Sequence, residues 1–265
     1  MISPLASVHP GAKLGNNVTI EPFAVIHDNV VIGDGTHIMS HAVIMQFSRI
    51  GKECRIFPGA VIGAIPQDLK FVGEETTAEI GDYTTIRECV TINRGTKDKW
   101  KTVVGSHCLL MAYAHVAHDC VLGDHVILAN SVQLAGHVEV GDYAIISGLA
   151  GANQFTRIGA HTYIAGHTVV RKDVPPFVKA GREPMSYAGV NVVGLQRRGY
   201  TPEQIAAISQ IYHILFVQGH PTSVAVQLAE EQVPDGDMKS VILDFVKSSS
   251  IGIIKRFSKN AEDAY

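Results

Sequence analysis

The chain lacks any apolar run long enough for a membrane span: nowhere in its 265 residues do the about 18 consecutive apolar side chains needed to cross a bilayer occur. Its start, "MISPLASVHPG", has no charged n-region ahead of an apolar h-region, so no secretory signal is read there. There is no surplus of basic residues either. With 22 Lys and Arg against 25 Asp and Glu, the formal charge of −3 argues against a protein that wraps nucleic acid, because neutralising phosphates needs a clear cationic excess. Any basic surface is therefore local. Cysteine is scarce: the four residues form no CxxC zinc motif and no disulfide framework. A soluble, cytoplasmic protein is the expectation. Apolar residues, in contrast, make up 46% of the chain, ample for a large core and against disorder.

The apolar residues keep a period of six. Stepping by six from Ile2 gives Val8, Leu14, Ile20, Ile26 and so on to Ile62, then Ile80, Ile86 and Ile92. From Val104 the series resumes through Leu110, Val116, Leu122, Leu128, Leu134, Val140 and Ile146, passes Ala152, and continues with Ile158, Ile164 and Val170. Small or β-branched residues recur four places on, as at Val18, Ala24, Cys54, Cys108 and Cys120. Glycine often follows the aliphatic, as at Gly15, Gly33, Gly51 and Gly105, where a corner calls for positive φ. Such a period fits neither an amphipathic helix nor an alternating strand. It fits a parallel β-helix in which each hexad makes a short strand and a corner, and three hexads close a coil. Stacked coils about 4.8 Å apart would bury the aliphatic column. At this point the chain resembles the hexapeptide-repeat transferases, which implies a left-handed helix and a homotrimer.

Two interruptions break the series. Asp68 and Glu74 fall where aliphatics are due in "GAIPQDLKFVGEETTAE", as does Asp98 in "NRGTKDKWKTV". Charges cannot face a dry core, so both segments should bulge outward. The repeat fades after "DVPPFVKAGREP". In "GYTPEQIAAI", Thr201 can cap a helix, Pro202 suits its first position and Gln204 completes a capping box. Ile205, Ile208, Tyr212 and Leu215 then recur at helical spacing; a second helix is read from Ser223 to Glu231 and a third after "PDGD" through Met238, Val241 and Phe245. The chain thus reads as mainly β: a left-handed parallel β-helix over 1–190 with protruding loops near 63–79 and 93–103, then an α-helical C-terminal domain over 191–265.

Register also sorts the cysteines and histidines. Cys54, Cys108 and Cys120 take the small inward position, whereas Cys89 sits one place earlier in its hexad. His27, His37, His41 and His125 read as solvated corner residues. The segment "AYAHVAHDC" is different, because residues one coil apart stack: His118 with Gly136 and Gln154, Asp119 with His137 and Phe155, and His115 with Gln133. The result is a patch of His115, His118, Asp119, His137 and Gln154. Three chemistries fit it: a hydrogen-bonded solvent face, a zinc site of converging imidazoles, and a histidine base oriented by a carboxylate. The third best accounts for "AHDC", since the His115/His118 spacing and the flanking acid are poor matches to the three-histidine zinc sites of hexapeptide-repeat carbonic anhydrases.

The segments "QDLKFVGE", "IRECVTINRGT", "AHVAHDC", "LAGHVEVGDYAIISG", "DVPPFV" and "GVNVVGLQRRG" occur in the order and spacing of the UDP-N-acetylglucosamine O-acyltransferases of lipid A biosynthesis, and the resemblance covers nearly the whole chain. It implies transfer of an (R)-3-hydroxyacyl group from acyl carrier protein to the 3-hydroxyl of UDP-N-acetylglucosamine, without metal or bound cofactor, at a site between subunits of a homotrimer. On matching positions it makes His118 the general base, Asp119 its orienting partner and the Gly136 amide the oxyanion donor. His115, His137 and Gln154 match positions that hold sugar and acyl groups. Asp68 and Lys70 match the nucleotide-sugar site, as do Asn191, Arg197 and Arg198 at the nucleotide and carrier-protein end, with Lys255, Arg256 and Lys259 as an extension for an acidic carrier. Gly166 matches the small residue that leaves room for the acyl chain.

Departures from that pattern are local. Asn153 stands where well-known members have histidine, which changes a contact to donor or sugar. Val193 replaces a common glutamate, and Pro184 falls where some members have a histidine at the far end of the acyl groove, so chain length is open. Two other readings remain at this level. A related N-acyltransferase acts on an amino sugar but carries an extra N-terminal domain, whereas these hexads begin at Ile2. A non-catalytic β-helical scaffold would be indifferent to loss of His118.

Overall fold

In the computed structural model, which describes residues 1–256, the hexads wind into a left-handed parallel β-helix of triangular section. Strands of two to four residues take the three faces in turn. Ser7–Val8 opens a nine-stranded first face, Lys13–Leu14 an eight-stranded second, and Thr19–Ile20 the third, which reaches eleven strands with its C-terminal additions. The register is fixed by the hexad: Val43 pairs with Val61, His115 with Gln133, and Val121 with Glu139. Each short strand therefore presents one aliphatic inward. Ile26, Ile44, Ile62, Ile92, Val116 and Leu134 are buried in one such column. At the N-terminal end of the series Ile2 is 50% exposed and Val8 and Leu14 are partly buried.

The corners differ from the sequence expectation in one respect. Gly33 and Gly105 are not at positive φ; the left-handed residues lie two places further on, at Asn17, Glu53, His107, Asp119 and their equivalents. The glycines are there because successive coils nearly touch. A Cβ on Gly33 would stand 2.6 Å from the carbonyl carbon of Gly51, and one on Gly105 would stand 2.4 Å from Gly123 O. The small inward position has its own chemistry. At the corner between second and third faces, Thr36, Cys54, Thr84 and Cys108 each donate to a glycine carbonyl, at 2.8, 3.2, 2.8 and 3.2 Å. Burial pushes the Cys54 and Cys108 thiols up to about 11 and the Cys120 thiol to about 12, which keeps them protonated as donors.

The same corner carries a ladder of rings. Tyr83, His107, His125, Tyr143, His161 and Phe177 stack with centroids 4.4 to 5.6 Å apart. His125 is thus sandwiched between His107 and Tyr143, not simply solvated. His37 is tied to Glu21 at 2.7 Å, and His41 stacks on Phe23.

The coil ends at an antiparallel hairpin, Val178–Gly181 against Ser186–Val190, extended by Lys255–Arg256. Between these lie α1 (Val192–Arg197), α2 (Pro202–Phe216), α3 (Thr222–Gln232) and α4 (Asp237–Lys247). The capping box at Thr201 and Gln204 is formed, and Ile205, Ile208, Tyr212 and Leu215 are buried. Arg157 joins coil to helices: it pairs with Asp173 at 3.0 Å, donates to Phe245 O at 3.1 Å and lies 4.5 Å over the Phe245 ring. Among the described residues no helix is long and apolar enough to cross a membrane.

Candidate active site

Both interruptions of the hexad series open at one corner, between the first and second faces. Residues 65–76 leave the coil after Val61–Ala64 and rejoin at Thr77–Ile80; residues 94–100 leave after Thr91–Asn93 and rejoin at Lys101–Val104. On the next coil that same corner is Ala117 to Cys120, so the loops overhang "AHDC". Arg94 ties them together. It is buried, its guanidinium lies 5.0 Å from the Phe47 ring and 5.3 Å from the Phe71 ring, and it faces Glu74 and Glu75.

Beneath the loops His118 and Asp119 are both buried, with His118 Nδ1 2.8 Å from Asp119 Oδ2. Asp119 sits at φ 60°, a corner conformation that aspartate tolerates better than most residues. Burial pushes its carboxyl up, but the Thr96 hydroxyl, His118, and the Thr96 and Lys99 amides outweigh that and hold it below its ordinary 3.8. One coil on, Gly136 lies against the His118 ring: a Cβ there would be 2.7 Å from Nε2. The flanking amides of Ala135 and His137 donate to Ala152 O and His118 O at 3.0 and 3.1 Å, and the Gly136 amide between them donates to neither. A histidine ring, a carboxylate behind it and an uncommitted amide beside it therefore converge directly behind Thr96 and His137, two residues that line a cleft. This geometry suits removal of a proton from a hydroxyl and stabilisation of an oxyanion.

His137 crosses His118 edge-on at 5.2 Å and stacks on Phe155 at 4.4 Å. Its Nδ1 is 3.2 Å from Asp98 Oδ2 and its Nε2 3.7 Å from Asp119 Oδ2, and burial keeps it less basic than usual. Asp68, Lys70, Glu74, Thr96, Lys97, Asp98, His137 and Phe155 line a cleft of about 510 Å³. Gln154 is exposed beside Phe155. His115 lies on the first face with Nδ1 2.7 Å from Thr91 Oγ1, and burial lowers its basicity too.

Other residues of the sequence reading lie elsewhere on the same chain. Gly166 is at the corner between third and first faces, where a Cβ would meet Gly148 O at 2.9 Å. Asn191 and Arg198 sit at the corner of the ring ladder. Asn191 Nδ2 donates to His161 O at 2.9 Å; Arg198 donates to Tyr143 O at 3.0 Å with its guanidinium 5.2 Å from the Tyr143 ring. Arg198 is therefore half-buried and engaged, whereas Arg197 and Val193 are exposed on α1 and Pro184 is exposed in the hairpin turn. Lys255 and Arg256 line a second cleft, of about 460 Å³, with His220 and Phe216; Lys259 lies outside the described residues.

Sequence reasoning missed Thr91, Thr96 and Lys97. Thr91 was within reach of the register, since it stacks on His115 across one widened coil; Thr96 and Lys97 sit in a loop that has no register. For a metal, one ligand atom each of His118, Asp119 and His137 falls within 4.8 Å of the others. The third histidine of a zinc set does not join them, because His115 is turned to Thr91, and Asp119 Oδ2 already receives both His118 and Thr96.

Comparison with known proteins agrees with the architecture. A family profile described as UDP N-acetylglucosamine O-acyltransferase, domain 2, matches residues 173–254, and the bacterial transferase hexapeptide repeat matches 29–64 and 101–136. An acyl-(acyl-carrier-protein)–UDP-N-acetylglucosamine O-acyltransferase from Chlorobaculum parvum is 52% identical over 252 residues, covering 95% of this chain and 96% of that one. The protein of the same description from Thiobacillus denitrificans is 44% identical over 256 residues, covering 96% and 99%. Among solved structures, a UDP-N-acetylglucosamine acyltransferase from Bacteroides fragilis superposes with a TM-score of 0.95 at 52% identity, covering 96% of this chain and all of that one.

Proposed function

The chain belongs to the UDP-N-acetylglucosamine O-acyltransferase family, and from that membership we infer that it moves an acyl chain from acyl carrier protein to a hydroxyl of UDP-N-acetylglucosamine. The acyl group is an (R)-3-hydroxyacyl chain, the acceptor is the sugar 3-hydroxyl, and the product enters lipid A synthesis. His118 Nε2 takes the proton of that hydroxyl as its oxygen attacks the thioester carbonyl. The oxyanion that forms is stabilised by the Gly136 amide. Collapse breaks the C–S bond, and the proton held on His118 goes to the departing thiolate of the carrier. Asp119 fixes the neutral tautomer with Nδ1–H inward and stabilises the imidazolium once formed. The observation that supports this reading best is the buried 2.8 Å contact between His118 and Asp119, next to the cleft-lining Thr96 and His137.

Asp68, Lys70, His115, His137 and Gln154 hold sugar, diphosphate and acyl groups around that point. Asn191, Arg197 and Arg198 lie at a different corner of the same coil. They reach the site when a second copy docks its ring-ladder corner against the His118 corner, as in a homotrimer with sites between subunits. The coil of 1–190 then carries the chemistry, and the C-terminal part that follows it offers Lys255 and Arg256 to the acidic carrier in the cytoplasm. A mass-spectrometric assay tests this. Purified protein with UDP-N-acetylglucosamine and 3-hydroxyacyl carrier proteins of graded length gains the mass of one chain on the sugar, with or without chelator, and His118→Ala loses about a hundredfold of the rate or more. A rate unchanged in His118→Ala would overturn the assignment.

A further inference from the structure

Asp119 has no exposure at all, and one loop supplies most of what surrounds its carboxylate. Thr96 N and Lys99 N donate to Oδ1 at 2.9 and 3.2 Å. Thr96 Oγ1 donates to Oδ2 at 2.6 Å, the same oxygen that meets His118 Nδ1 at 2.8 Å. Thr96 thus grips both oxygens and fixes the carboxylate plane. An ionised carboxylate has about four acceptor sites, and with three taken by the loop only one is left, directed at His118. The loop is itself tethered: Gly95 N donates to Thr77 O at 3.1 Å, Trp100 N to Thr96 O at 2.8 Å, and Lys99 Nζ to Glu139 Oε1 at 2.7 Å, two coils away on the second face.

We propose that Thr96 is a positioning residue for acyl transfer: its hydroxyl and amide orient the Asp119 carboxylate so that His118 is held with Nδ1 inward and Nε2 free for the acceptor hydroxyl. This rests on His118 being the base. Thr96 also lines the cleft, so without its hydroxyl Oδ2 would have an open acceptor site within reach of water, and the carboxylate could turn away from the imidazole. The remaining groups around Asp119 do not substitute. His137 Nε2 is 3.7 Å off, Asp98 lies on the far side of His137, the Lys99 ammonium is committed to Glu139, and the Cys120 thiol is held neutral by burial.

Two variants and two readouts test the proposal. Thr96→Val keeps the shape and removes the hydroxyl; Thr96→Ser restores it. Steady-state kinetics should show kcat of Thr96→Val down about tenfold with the KM for UDP-N-acetylglucosamine within about twofold, and most of the rate recovered in Thr96→Ser, as expected for loss of the charge-assisted hydrogen bond to Asp119 together with the longer one, 3.2 Å, that the hydroxyl accepts from Asp98 N. Independently of turnover, the pH dependence of hydrogen–deuterium exchange at the His118 Cε1 position, read by peptide mass spectrometry, gives the ionisation midpoint of that ring. It should move in Thr96→Val and match the wild type in Thr96→Ser. An unmoved His118 midpoint in Thr96→Val, whether or not activity or melting temperature falls, would mean that Thr96 only helps fold the loop, and the proposal fails. If the wild type itself does not acylate the sugar, the functional reading fails while the exchange experiment still decides what Thr96 does to His118.

Discussion

At the scale of single residues, the site depends on what Asp119 accepts. Its oxygens receive the His118 ring, a threonine hydroxyl and two amides, so it stays ionised although buried. Asp119→Asn keeps the size but puts a donor or a neutral carbonyl where the carboxylate faced Nδ1, so His118 loses its preferred tautomer. The expected outcome is a kcat loss of about a hundredfold or more with little change in melting temperature at neutral pH, measured by the acyl-transfer assay and a thermal scan. The His118–Asp119 pair is legible from sequence because both residues stand in the hexad register, which also brings Gly136 and His137 against them. Thr96 is not legible, since a residue in an outward loop has no partner at a fixed spacing. For Arg198 the resemblance supplies a role but no packing: the Tyr143 ring and carbonyl show it half-buried.

At the scale of elements, the corner between second and third faces acts as a stack of rings with a vulnerable end. His161 is pressed between Tyr143 and Phe177, with its Nε2 3.1 Å from the Tyr200 hydroxyl. Burial, with the Arg198 charge adding to it, lowers its pKa from 6.5 to about 4. As pH falls through that window, the unfolded chain takes up a proton that folded His161 refuses. Its contribution to stability is therefore complete above about 6.5 and is lost progressively towards about 4. His161→Phe should flatten the pH dependence of the denaturation midpoint between those values while keeping the ladder; an unchanged slope would count against the assignment. The sequence reading named only His125 of this ladder, as a solvated corner residue; the stacking escaped it because ring orientation is set by the left-handed backbone at each corner. The same backbone explains the misread glycines, which answer to the gap between coils and not to φ.

At the scale of the molecule, the faces of the prism divide the work. The cleft under the two loops is at one corner, and Asn191 and Arg198 are at another. The proposed site draws on both corners, and on that reading it is completed by association of copies. Multi-angle light scattering should give three times the 28.5 kDa chain mass, and Arg198→Ala mixed with His118→Ala should regain activity through hybrid sites. A monomeric mass would remove the intersubunit arrangement. The architecture itself was readable from sequence because one side chain in six had to be aliphatic for every coil; outward residues obey no such rule, so the homotrimer is implied by the resemblance and not by the spacing.

The stacking of identical coils also limits how such a molecule can change over generations. A deletion of one or two residues within a strand would turn an aliphatic outward and shift every later rung, so it is lethal to the register. Two kinds of length change escape that fate: a whole extra coil, which lifts the helical end by one rung of about 4.8 Å, and a bulge at a corner, which leaves the strands untouched. Both bulges here occur at the corner where the chemistry is, as though length variation had been tolerated only where it could cover His118.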